Sequence, residues 1–131
     1  KVSGTNANHN MACLDGFLGH FDMLYDDDRN EDYAAAIRKA VAVLESRKGS
    51  SLKALDIGSG SGLLGLLCWQ TGQFDSVVMI EAGSVLAGAA RDNIRRNAAQ
   101  GQCSVWEGHS SDVLLGPAPS ALLGSGPAAN N

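Results

Sequence analysis

The sequence predicts an α/β fold, the βαβαβ half of a doubly wound parallel sheet with its strands in the order 3-2-1, preceded by a helical segment. Three observations carry this. Short apolar runs at 53–57, 76–80 and 102–107 alternate with stretches of helical periodicity. The middle run, Ser-Val-Val-Met-Ile, is apolar almost without break, as in strands covered on both faces. Glycines at 58, 60 and 62 follow the first run directly, so the chain can turn sharply from a strand into a helix.

The elements follow in order. Residues 1–12 carry Gly4 and three Asn without periodicity and are expected to be a disordered leader. Residues 13–50 form the helical segment. Within it Tyr33, Ile37, Ala40, Val41 and Leu44 recur at three- and four-residue intervals, predicting a helix over 28–47 with these side chains on one buried face. The partial sheet domain spans 51–115. Its first strand, Lys-Ala-Leu-Asp-Ile, enters the glycine loop; a second helix, 63–70, is apolar nearly all round and should be buried. After the middle strand a third helix is expected over 84–100, burying Val85, Leu86, Ala89, Ala90 and Ile94. The last strand, 102–107, is short and carries Gln and Ser. Glycines and prolines at 116, 117, 119, 124, 126 and 127 predict a disordered tail over 116–131, with no regular element beyond Asp112. The first strand should keep one bare edge.

With 131 residues and 44% hydrophobic positions, the chain supports one core. Ten Lys and Arg against fourteen Asp and Glu leave a net charge of −4, and no basic block tracks a phosphate backbone, so direct nucleic-acid binding is not expected. No apolar stretch approaches the ~18 residues that would span a bilayer. Polar residues open the chain where a signal peptide would be apolar. We expect a soluble chain of the cytoplasm or nucleus, without membrane association. Cys13, Cys68 and Cys103 are odd in number and widely spaced, which suggests reduced packing cysteines and no metal site. The opening on Lys1 and the small-residue ending suggest a fragment of something longer.

Chemistry concentrates at Asp56-Ile57-Gly58-Ser59-Gly60-Ser61-Gly62. Small residues there let a ligand touch the backbone, while the following helix presents unpaired N–H groups. A nucleotide-type ligand is expected. The frame Gly60-x-Gly62-x-x-Gly65 matches the dinucleotide fingerprint literally, but that fingerprint wants its first glycine at the strand end. That residue is Gly58, whose own frame ends in Leu63. Asp56, just before it, suits Asp-x-Gly-x-Gly-x-Gly better. Glu81 ends the middle strand, where a carboxylate can accept hydrogen bonds from both hydroxyls of a ribose.

The glycine pattern resembles that of S-adenosylmethionine-dependent methyltransferases with a Rossmann-like fold. Upstream, Met23-Leu24, Asp26 and Arg29 match the Met-Leu-x-Asp-x-x-Arg stretch of the protein arginine N-methyltransferases. Asp-Met-Leu, Asp-Arg-Asn, Leu-Asp-Ile-Gly-x-Gly-x-Gly-Leu-Leu and Gly-His-Ser-Ser-Asp-Val, in that order, are most similar to the monomethylating branch built of two tandem modules. The resemblance runs from about Phe17 to Pro117.

It implies S-adenosylmethionine as cofactor and residues 13–50 as a helical lid over it. Arg29 would hold the carboxylate of its methionine part. Met23 would wall the substrate pocket, and His20, nine residues before Arg29, would join the cofactor site. Gly58 and Gly60 would admit the ligand to the backbone, Asp56 would fix the loop, Glu81 would take the ribose hydroxyls, and Ser110 and Ser111 would contact the adenine. Leu14 departs from the family, many of whose members have an aromatic there.

The activity implied is methyl transfer to the guanidinium of arginine-containing proteins, such as histones or RNA-binding proteins. A guanidinium stays charged near neutral pH, and the family binds it with two glutamates from a loop after a fourth strand. This sequence has no Glu after Asp112, so no catalytic residue is assigned and the bare chain is expected to be inactive. Asp26, Asp27 and Asp28 point in different directions and are better read as a solvated helix cap. Two alternatives stay open: a small-molecule methyltransferase, which leaves the stretch from Met23 to Arg29 unexplained, and a non-catalytic adaptor derived from the fold. Self-association stays open too.

Overall fold

Four apolar residues in a row, Val77 to Ile80, need cover on both sides of the strand that carries them. The chain meets this need by making that strand the centre of a three-stranded parallel sheet. A computed structural model describes residues 18–48 and 52–115. Residues 18–24 form helix α1. There follow α2 (Asp27–Lys48), β1 (Leu52–Ile57), α3 (Leu63–Gln70), β2 (Phe74–Glu81), α4 (Ser84–Arg96), β3 (Cys103–Glu107) and α5 (Ser110–Leu115). The sheet order β1-β2-β3 is the expected 3-2-1 order read from its other edge. The expected leader and tail, Leu14 and Cys13 lie outside the described residues.

The chain divides into two units, Lys1–Tyr33 and Ala34–Asn131, the division falling within α2. In the first unit, the Asp26 carboxylate accepts the Arg29 N–H at 3.0 Å, and Asp27 and Asp28 occupy the first turn of α2. This is the helix-cap arrangement expected of the three acids: a side-chain acceptor for an unpaired donor, and negative charge at the positive end of the helix dipole. Asn30 Nδ2 donates to the Leu24 carbonyl at 2.9 Å and ties α1 to α2.

In the second unit, Leu55 pairs with Val78 and Ile57 with Ile80, while Val77 to Glu81 pair with Cys103 to Glu107. Phe74, Val77 and Met79 centre the core, with Ile94, Ala99, Cys103 and Val41 buried around them. Leu52, Ala54, Leu66, Cys68, Trp69, Val105 and Ile37 pack at its margin. Gln102 closes the lower end, accepting from Trp69 Nε1 at 2.9 Å and donating to the Phe74 carbonyl at 3.1 Å. Cys68 and Cys103 are free thiols. Burial pushes Cys68 up and Cys103 to about 11, which suits inert packing groups.

Five expectations need correction. The face of α2 is buried only at Val41, with Ile37 packed beside it; Tyr33 and Leu44 are exposed. In α3 only Gly65 is buried, because the helix meets the sheet along one side. In α4 the buried stripe is Ala87, Ala90 and Ile94, while Val85 is 68% exposed, since small residues let the helix lie close to the sheet. That helix also stops at Arg96, earlier than expected: Ala98 turns left-handed (φ 55°) and the Ala99 N–H reaches back to the Ile94 carbonyl at 3.0 Å. Such endings favour glycine, and an alanine there gave no signal. Finally, α5 carries helix to Leu115, three residues past Asp112.

Candidate functional site

Gly58 follows directly on the last residue of β1, with φ +72°, a conformation glycine adopts at no steric cost. Its N–H and that of Ser59 both donate to the Ile80 carbonyl, at 2.8 and 3.0 Å, so the loop is pinned to the end of β2. Asn93 Nδ2, from α4, holds the Ser61 carbonyl at 3.0 Å. Ser59 and Ser61 are buried, and among the described residues the Ser59 hydroxyl has no hydrogen-bond partner.

The glycines divide the work. Among the described residues, a β-carbon added at Gly58 would meet nothing within 4 Å, so the space over that backbone is open to a ligand. One added at Gly65 would fall 2.3 Å from Met79 Cε, and one at Gly62 3.1 Å from Met79 Sδ. Those two let α3 press against β2. Gly65 thus plays the helix-packing role of a third fingerprint glycine, although the strand ends at Ile57 and the loop begins at Gly58, as Asp-x-Gly-x-Gly-x-Gly requires.

The acids complete the loop. Asp56 Oδ2 accepts the Gly65 N–H at 3.0 Å, satisfying a donor in the first turn of α3. Burial raises its pKa, the Gly65 bond opposes the shift, and the nearby Glu81 charge adds to it. Glu81 Oε2 accepts the Gly60 N–H at 2.8 Å and its Oε1 the Gly83 N–H at 2.7 Å. The carboxylate therefore bridges the glycine loop and the turn into α4.

After β3, the Gly108 N–H donates to the Glu81 carbonyl at 2.9 Å, which brings the turn ahead of α5 to the end of β2. Ser110 and Ser111 open that helix, and Ser111 Oγ lies 3.4 Å from His109 Nδ1 and 3.5 Å from Asp112 Oδ1. The structure thus gathers Asp56, Gly58, Gly60, Glu81 and the turn before Ser110 at one end of the sheet. Gly83 is part of this cluster and was missed from the sequence; its only signal was its position two residues after Glu81.

The remaining candidates lie in the first unit. The Arg29 guanidinium sits 4.8 Å from the Tyr33 ring centroid, with Nη1 at 3.4 Å from both the Met23 carbonyl and Asn30 Oδ1. None of these partners is anionic, and among the described residues no ion pair includes Arg29, so its planar fork of donors keeps an unneutralised charge suited to a carboxylate. Met23 is exposed. His20 is half-buried, with its ring edge-on to Phe21 at 6.3 Å.

In the second unit, open space over a bare backbone and an acceptor pair suited to a diol fit the nucleoside part of an adenosyl amino acid. No family model matches the chain. Over 96 residues, 73% of its length, the chain is 38% identical to proteins named protein arginine N-methyltransferase 7 from Danio rerio and Mus musculus. It is 35% identical over 98 residues to the protein of that name from Drosophila ananassae. The chain spans 14% of the length of each of these relatives. Among solved structures, it superposes on PRMT6-SAH with a TM-score of 0.63 and 23% identity, covering 76% of this chain and 27% of that one. On the Trypanosoma brucei PRMT1 enzyme-prozyme heterotetrameric complex with AdoHcy the values are 0.58 and 21%, covering 68% and 26%. At such identities the likeness establishes the fold, a partial Rossmann-like methyltransferase fold.

Proposed function

Over its matched residues this chain belongs to the protein arginine N-methyltransferase family, and on that premise we propose that it is the cofactor-binding segment of an arginine methyltransferase. The cofactor is S-adenosylmethionine, whose sulfonium supplies the methyl group. The observation that carries this reading is the Glu81 carboxylate, held at the end of β2 beside the open backbone of Gly58.

Each residue has a stated task. Glu81 accepts the ribose hydroxyls. Gly58 and Gly60 let the ligand lie on the backbone, and Asp56 keeps the loop in register through Gly65. Ser110 and Ser111 meet the adenine. In the first unit, Arg29 pairs with the carboxylate of the methionine part, His20 joins the cofactor site, and Met23 forms pocket wall. The acceptors of the methyl group are arginine-containing proteins of the cytoplasm or nucleus, histones or RNA-binding proteins among them.

Calorimetric titration with S-adenosylhomocysteine tests the binding: we expect saturable heat at one site per chain. A chain that is folded by circular dichroism yet gives no heat at excess ligand overturns the proposal. Because no Glu follows Asp112, arginine-peptide methylation by this chain alone is expected to be undetectable.

A further inference from the structure

Both oxygens of Glu81 are occupied in the same way, each by one backbone amide: Oε2 by Gly60 at 2.8 Å and Oε1 by Gly83 at 2.7 Å. An ionised carboxylate offers about two acceptor directions on each oxygen, so one remains on each. A pair of acceptors on neighbouring oxygens matches a vicinal diol, one hydroxyl to each.

We propose that Gly83 is a positioning residue that creates this match and thereby sets the preference for a ribose over a 2′-deoxyribose. Its N–H fixes the rotation of the carboxylate, and its lack of a side chain keeps Oε1 approachable. Backbone conformation does not require a glycine here: φ −82° and ψ 114° are open to any residue. Space does. A β-carbon at Gly83 would stand 3.2 Å from Glu81 Oε1, tight enough to shift the carboxylate by a few tenths of an ångström. The inference rests on the ribose role given to Glu81 above.

The test is Gly83→Ala in the full 131-residue chain, titrated with S-adenosylhomocysteine and with its 2′-deoxy analogue beside the unsubstituted chain. With circular dichroism unchanged, the affinity for the ribonucleoside should fall about fivefold to tenfold, as for a misaligned hydrogen bond to a charged group. The deoxy analogue should lose less, so discrimination narrows. If the unsubstituted chain binds and the variant binds both ligands equally well as before, the role of Gly83 is refuted while the cofactor reading stands. If the unsubstituted chain binds neither ligand, the cofactor reading itself fails and takes this one with it. Should Gly83→Ala not fold, amide exchange in Glu81→Ala, which removes the acceptor, decides: several-fold faster exchange at Gly83 supports the anchor, and unchanged exchange refutes it.

Discussion

β1 and β2 lie side by side in one sheet, yet they have different surroundings. On β2, Val77 and Met79 are 0% exposed and Val78 and Ile80 are 5% and 2% exposed; on β1, Leu55 and Ile57 are 52% and 60% exposed. The difference comes from neighbours. β2 has a strand on each side and α3 and α4 against it, whereas β1 has β2 as its one strand neighbour and α3 against it, and the expected bare edge is present among the described residues. An apolar run therefore marks a strand, but the number of its neighbours decides how much of it leaves water.

Three experiments probe this contrast, the first with the largest effect. Met79 fills the space left by Gly65 and Gly62, so Met79→Ala opens a cavity under α3 and should cost about 2–5 kcal/mol. Urea unfolding followed by tryptophan fluorescence measures it; a loss no larger than that of a surface substitution would mean the centre of the sheet is not tightly packed. Leu55→Ala, on the exposed face of β1, should cost about 1 kcal/mol or less by the same measurement. A loss equal to that of Met79→Ala would erase the distinction between the strands.

The smallest effect is pH-dependent and belongs to Asp56, on the inward side of β1. Burial, with the Glu81 charge, raises its pKa above the ordinary 3.8. The folded chain thus holds that proton more tightly than the unfolded chain, and the stabilisation this brings is complete below 3.8 and disappears as pH climbs through the raised value. Asp56→Asn retains an acceptor for the Gly65 N–H and removes the titration. Wild type should lose stability relative to the variant as pH rises from 3.8. A difference independent of pH would contradict the burial of Asp56.

Local chemistry was legible where short-range rules govern it. The start of α3 at Leu63 follows from the glycines before it, and the Asp26 cap follows from an acid at a helix start. The stop of α4 was not legible, because Ala98 adopts a left-handed turn that only the packing around Ala99 explains. Val85 looked like a core residue by its chemistry and periodicity, yet Ala87 took that place because close approach to the sheet selects small side chains.

The same division holds at the candidate site. Sequence alone determined the strand order, the bend after Ile57 and the acid ending β2, since periodicity, glycine and crossover rules act over a few residues at a time. Only the tertiary structure decided which glycine faces open space and which faces Met79, and that Glu81 is held by Gly60. Those facts depend on distances between segments about twenty residues apart, set by how α3 and α4 pack on the sheet, which no local pattern encodes.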